Sequence, residues 1–246
     1  MQLGSRRSLI RLINFLVIGI LLVVEIGVDS NLLSAEDYYP DNIGNEWVFL
    51  STDGLEERIL RIQANAEKSY RKLIDQTREV SPPQEETGYS RFIIQSGTNS
   101  IKIIKSTFTF GLVGEIDLPY TTPQVFLPIP IQLGTEWSVK GSVKLPLLGQ
   151  IQAENRQKVV AVESVSVPAG KFEDCLKITQ NNALKSPVLG MELTGTMWLA
   201  PDLGPVKLIN SGDIVFELIR HNIKTATTAV SQKTKLSTKW ARIRNE

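Results

Sequence analysis

The chain has 246 residues, 42% of them apolar and 22% charged, with 27 Lys and Arg against 26 Asp and Glu. This composition suits one large globular domain or two small ones, and it excludes collagen-like, wholly disordered and polytopic membrane chains. One cysteine, Cys175, excludes an intrachain disulfide and a Cys-cluster metal site; one histidine, His221, excludes any site built on two imidazoles.

The near-neutral total divides unevenly along the chain. Residues 1–35 carry Arg6, Arg7 and Arg11 against Glu25 and Asp29, a net +1. Residues 224–246 carry Lys224, Lys233, Lys235, Lys239, Arg242 and Arg244 against Glu246, a net +5. With a total of +1, the body 36–223 is left at −5. Such a body lacks the basic face on which nucleic acid releases its counterions, so no nucleic-acid partner is expected.

At the amino terminus, Arg6, Arg7 and Arg11 precede an apolar run from Leu12 to Val24 broken only by Asn14. The run is shorter than the ~20 residues of a membrane-spanning helix and fits a signal-peptide core. Leu33-Ser34-Ala35, or Val28-Asp29-Ser30, offers small residues for cleavage. Residues 1–35 are therefore expected to be a signal helix, either cleaved or kept as an anchor through about residue 28. Ser5-Arg6-Arg7-Ser8-Leu9-Ile10-Arg11 is close to a twin-arginine motif, so both general and twin-arginine export stay open. The expected location is extracytoplasmic, periplasmic or secreted, or membrane-anchored by the uncleaved helix.

From Trp47 onward, short runs of alternating polarity are broken by Gly, Pro, Asn and Ser. They predict strands at Glu46–Ser51, Glu57–Ala64, Ser69–Thr77, Tyr89–Ser96, Ile101–Phe110, Glu136–Val143, Ile151–Val167, Phe172–Gln180, Met191–Leu199, Val206–Asn210 and Ile214–Asn222. The expected fold is all-β: a curved antiparallel sheet, half-open barrel or sandwich, of about 10–12 strands. Ile151–Val167 is too long for one straight strand and must bend or bulge. Pro119, Pro123, Pro128 and Pro130 crowd a stretch that cannot be a central strand.

Pro40-Asp41-Asn42-Ile43-Gly44-Asn45-Glu46-Trp47 repeats as Pro130-Ile131-Gln132-Leu133-Gly134-Thr135-Glu136-Trp137. Both read as the turn that starts a strand, with Ile43 or Leu133 tucked beneath it and the indole on the buried face. The body 36–223 then divides into related halves, 36–118 and 124–222, or else the turn chemistry has simply recurred.

Three segments carry a family resemblance: Tyr38-Tyr39-Pro40 with Gly44-Asn45-Glu46-Trp47; Val167-Pro168-Ala169-Gly170-Lys171-Phe172-Glu173-Asp174-Cys175; and Trp198-Leu199-Ala200-Pro201-Asp202-Leu203-Gly204-Pro205-Val206-Lys207. With these the body resembles a loose group of bacterial exported β-rich domains that includes TapB-like proteins. The resemblance implies a curved antiparallel sheet outside the cytoplasm and supplies no catalytic residues. Pro205 departs from the pattern, since it cannot donate a ladder hydrogen bond.

Chemistry is sparse. No HExxH, CxxC or calcium-loop spacing occurs, and Gly111-Leu112-Val113-Gly114 lacks the lysine of a phosphate loop. Ser69-Tyr70-Arg71-Lys72 spells SxxK without its supporting motifs, and a triad on His221 has no nucleophile elbow. Cys175, beside Glu173 and Asp174, reads as a small buried hydrophobe. Glu46 and Glu136 hold equivalent places and read as solvent-facing strand glutamates. No cofactor, metal or catalytic residue is expected.

The candidate ligand or partner surface is aromatic. Trp47, Trp137 and Trp198 either line the core or present apolar area to a ligand. In the basic tail 224–246, otherwise rich in Thr, Ser and Lys, Leu236, Trp240 and Ile243 follow helical spacing. Residues 235–244 could therefore lie on a membrane as a short amphipathic helix, as residues 1–28 could as an anchor. Three readings follow: a non-catalytic extracytoplasmic protein binding an apolar ligand, a lipid or an envelope partner; a structural or assembly protein of the envelope; and a carboxylate-dependent hydrolase.

Overall fold

The computed structural model describes residues 37–80, 88–110, 114–145, 149–185 and 190–224. The signal helix expected at 1–35 and the tail from 225, with Leu236, Trp240 and Ile243, lie outside the described residues. Twelve strands follow in order: β1 (Glu46–Ser51), β2 (Glu56–Ala64), β3 (Arg71–Glu79), β4 (Gly88–Ser96), β5 (Ser100–Phe110), β6 (Gly114–Pro128), β7 (Glu136–Leu145), β8 (Gly149–Val167), β9 (Gly170–Lys185), β10 (Gly190–Ala200), β11 (Gly204–Ile209) and β12 (Val215–Asn222). They form one antiparallel sheet in the order β6-β5-β4-β3-β2-β1-β12-β11-β10-β9-β8-β7. The chain starts in the middle, meanders out to β6, crosses to β7 at the opposite edge, and meanders back until β12 pairs with β1. The sheet is curled into a nearly closed barrel, with β6 and β7 facing each other across the seam. Among the described residues there is no helix.

Register explains which residues fill the barrel, because residues opposite each other in an antiparallel pair share a face. One rung runs Trp47, Leu60, Asp75, Ser90, Phe108; the next runs Ile62, Leu73, Phe92, Ser106. In the second half, Val159, Ile178, Met197, Leu208 and Phe216 share a rung. These positions are buried or nearly so, and they form the continuous core.

Two features differ from the sequence expectation. The proline-rich stretch is itself a strand, β6, running through Pro119 and Pro123, where the repeat reading places a break. It is an edge strand, which tolerates proline, and its register with β5 slips twice. Second, Ile43 and Leu133 are not tucked under their turns but stand 49% and 58% exposed. The turn is held instead by backbone bonds. Gly44 N–H donates to Ile62 O, Asn45 N–H to Asn42 O, and Ile62 N–H to Asn45 O. The other copy makes the same three, from Gly134 to Val159 O, Thr135 to Gln132 O, and Val159 to Thr135 O. Gly44 and Gly134 both take positive φ, 95° and 85°. Even the ion pair recurs: Glu46 with Arg61, Glu136 with Lys158. The long run in β8 does bulge, at Val159/Ala161 and Glu163/Val165, and Pro205 sits beside a bulge against Leu199.

The three motif segments meet at one end of the barrel and seal it. The Trp47 indole N–H donates to Leu203 O at 2.7 Å, Asp202 N–H to Asp37 O at 2.8 Å, Tyr38 O–H to Asp174 O at 3.2 Å, and Ala169 N–H to Leu218 O at 2.9 Å. Tyr39 fills the space behind, 5.7 Å from Trp47 and 5.0 Å from Phe126 between ring centres. Gly204 makes this closure fit: its φ is 92°, and a Cβ there would lie 3.1 Å from the Trp47 ring. Replacing Gly204 with Ala is expected to cost about 1–3 kcal/mol of stability from backbone strain, with added crowding against the ring. Gly54→Ala, at φ 72° with open space around it, is expected to cost less, as read by urea unfolding of both variants.

Candidate functional site

Inside the barrel lies a cavity of about 100 Å³. Its apolar wall includes Leu60, Leu73, Phe92, Phe126, Met197 and Leu208, and Tyr39 contributes from the sealed end. Thr194, which also lines it, is exposed, so the space is open on the side of β10 and the β11–β12 turn. A second space, about 160 Å³, sits at the sealed end between residues 37–41 and 129–131. Its acid Asp37 accepts Tyr39 N–H; burial above all, with Asp41 and Asp202 adding to it, holds the Asp37 carboxyl above its ordinary value.

The central cavity has two polar walls facing inward. On β2 and β3, Arg58 Nε and Nη2 donate to Asp75 Oδ1 and Oδ2 at 2.8 and 2.6 Å, a bidentate pair with side chains 11% and 3% exposed. Burial opposes the Arg58 charge, yet Asp75, by charge and hydrogen bonding, outweighs it and holds the guanidinium above its ordinary value. Arg58 also lies 5.9 Å from the centre of the Phe216 ring. Burial, with Asp75 and Asp41, pushes the Tyr39 phenol up, so it stays neutral.

On β8 and β9 the wall is made of amides. Asn155 is opposite Asn182, and Gln157 is opposite Gln180. Asn155 Nδ2 donates to Asn182 Oδ1, Asn182 Nδ2 to Leu193 O at 3.4 Å, and Gln180 Nε2 to Gln157 Oε1 at 3.4 Å. Gly195, opposite Gln180, carries no side chain into the space. Asn155 Oδ1 and, on the adjoining rung, Trp137 Nε1 are buried with no hydrogen-bond partner among the described residues. A guanidinium–carboxylate pair that neutralises itself and four neutral amides give this interior hydrogen-bonding capacity without net charge.

The tryptophans named from sequence are scattered rather than gathered into one outer surface. Trp47 is wholly buried at the sealed end, and Trp137 is buried on β7. Trp198 lies on the outer face, opposite Lys177 and Lys207 in the ladder. Lys177 Nζ stands 5.0 Å from the Trp198 ring centre, and the Trp198 indole N–H donates to Glu163 Oε1 at 2.6 Å. Of the remaining chemistry-bearing residues, Ser69 lies in the exposed turn before β3 and His221 is exposed on β12. Glu46 and Glu136 are each engaged by a cation on the next strand. Cys175 is buried, its thiol donating to Phe172 O at 3.5 Å. Among the described residues no cluster of His, Cys, Asp and Glu could hold a metal ion.

The cavity residues were missed in sequence because Asn155-Arg156-Gln157 and Gln180-Asn181-Asn182 are polar on both faces, which erases the in/out alternation. A polar run near the start of the predicted strand Ile151–Val167, and another at and just past the end of Phe172–Gln180, was the available signal.

The DUF3108-like family matches residues 140–210, from β7 to just beyond β11. No curated protein matches the chain. Two solved structures are similar. A "putative lipoprotein" from Parabacteroides distasonis ATCC 8503 is 17% identical, over 77% of this chain and 100% of that one, with a TM-score of 0.43. A "putative exported protein with YmcC-like fold" from Bacteroides fragilis NCTC 9343 is 15% identical, over 76% of this chain and 99% of that one, also with a TM-score of 0.43.

Two outcomes are expected. Arg58→Met leaves Asp75 buried and unpaired and costs about 3–5 kcal/mol, whereas Arg58→Met with Asp75→Leu recovers most of that loss; a double-mutant cycle in urea reads both. Burial, with Asp174, Glu173 and Glu163 adding to it and one backbone hydrogen bond opposing, pushes the Cys175 thiol up to about 11. A raised thiol pKa means that thiolate is scarce below it. Cys175 is also fully buried, so iodoacetamide labelling of the native protein should be slow at pH 8 and become fast once the chain is unfolded.

Proposed function

We propose that this chain is a non-catalytic extracytoplasmic β-barrel protein that holds a small, largely apolar ligand inside the barrel. The cavity between the Arg58–Asp75 wall and the amide wall carries this reading. The extracytoplasmic part rests on Arg6, Arg7 and Arg11 ahead of the apolar run Leu12–Val24, and on the resemblance to exported β-rich domains. Size narrows the ligand. A cavity of about 100 Å³ is smaller than the ~150 Å³ that admits benzene, so it takes a short apolar group and not a whole lipid chain.

A second reading, an assembly protein of the envelope, is favoured by the two edges β6 and β7, which offer unpaired backbone to a partner strand. The two are separated by where a small probe lands. With 1-butanol added to the full chain, the interior reading expects nuclear Overhauser contacts from the alcohol to the Met197 methyl and the Phe92 ring. Contacts confined to exposed apolar residues such as Leu55 and Leu133 would contradict it and leave the edges as the working surface.

A further inference from the structure

We infer that the interior selects a neutral ligand whose buried end carries a hydroxyl, received by Asn155; this rests on the interior-binding reading above. The amide ladder has a fixed direction. Leu193 O can only accept, so the group of Asn182 that faces it must be the NH₂. Asn182 therefore turns its Oδ1 towards Asn155, and only the NH₂ of Asn155 can answer it. Asn155 Oδ1 is thereby fixed on the remaining side of its amide, in a residue that is 3% exposed and lines the cavity, with no donor among the described residues. A backbone carbonyl at one end of the chain of bonds thus sets an acceptor at the other.

The site then discriminates by chemistry. An acceptor buried at low dielectric repels a carboxylate or phosphate, and an anion would also lose its hydration. The Arg58 charge, which could have offset this, is spent on Asp75 through two hydrogen bonds. An ether or ester oxygen has no proton to give. A hydroxyl donates to Asn155 Oδ1, the acceptor left without a donor on the cavity wall. The apolar remainder of the ligand has Leu73, Phe92, Phe126 and Met197 to rest on.

Three probes matched in size test this on the full chain: 1-butanol, methyl propyl ether and butyrate. The first two share a formula and differ in the donor. Titrations followed by chemical shifts at Phe92 and Met197, which line the cavity, should give 1-butanol about tenfold tighter binding than the ether, the factor carried by one neutral hydrogen bond, and no binding of butyrate. In Asn155→Leu the alcohol's advantage should vanish while the ether binds as before; a melting curve confirms that the variant is folded. If that variant does not fold, the three-probe ranking in the unmodified chain decides alone. Ether and alcohol binding equally well, an advantage unchanged in Asn155→Leu, or butyrate binding best would overturn the hydroxyl inference and leave interior binding standing. No interior shift with any probe would overturn both.

Discussion

The pairing of the first strand with the last is the constraint on which the rest of this structure depends. β1 lies between β2 and β12, so the two six-stranded runs of the meander become one sheet only when Phe49 meets Leu218 and Leu50 meets Glu217. Without that ladder the Arg58–Asp75 wall and the amide wall would belong to separate sheets, and no enclosed space would exist between them. The pairing joins residues about 170 apart in sequence, and its loop-closure entropy must be met by burial of Trp47, Phe49, Phe216 and Leu218 around it. The seal at the same end adds to this: Trp47 reaches Leu203, Tyr38 reaches Asp174 and Asp202 reaches Asp37, which ties the start of the chain to the second half.

Enclosure then dictates what the interior can be. A barrel closed at one end by Tyr39 has the Arg58–Asp75 pair on one wall and amides on the other, with apolar side chains between them. The buried charges cancel within their own pair, and the neutral amides satisfy one another along the ladder until Asn155 Oδ1 is left over. Outside, charge is arranged differently: Lys177 and Lys207 stand over the Trp198 ring, in half-buried ion pairs with Glu163 and Glu217. Such pairs contribute little stability each, and their lysine stems shield an indole that would otherwise face water.

Period-two alternation made the fold legible, because most strands bury one face only. Trp137 and Val139 against Glu136 and Lys140 is such a pattern, and the structure places the indole inward as read. The bend in β8 was also legible, from length alone. β6 was not, because proline suppresses the strand signal although an edge position tolerates it. The turn residues Ile43 and Leu133 misled because backbone bonds, invisible in sequence, hold the turn without any apolar anchor. Trp198 is buried, under lysine side chains that the sequence pattern does not reveal. The cavity stayed hidden for a further reason. Arg58 and Asp75 are 17 positions apart, and only the β2–β3 register reveals that they face each other inside.

Native-state hydrogen exchange tests the closure most directly. Amides of β1 and β12 should exchange only through global unfolding, while those on the free edge of β7 exchange at least about a hundredfold faster through local opening. Exchange in β1 as fast as at the β7 edge would mean that the two halves part readily, and the enclosed interior would lose its foundation.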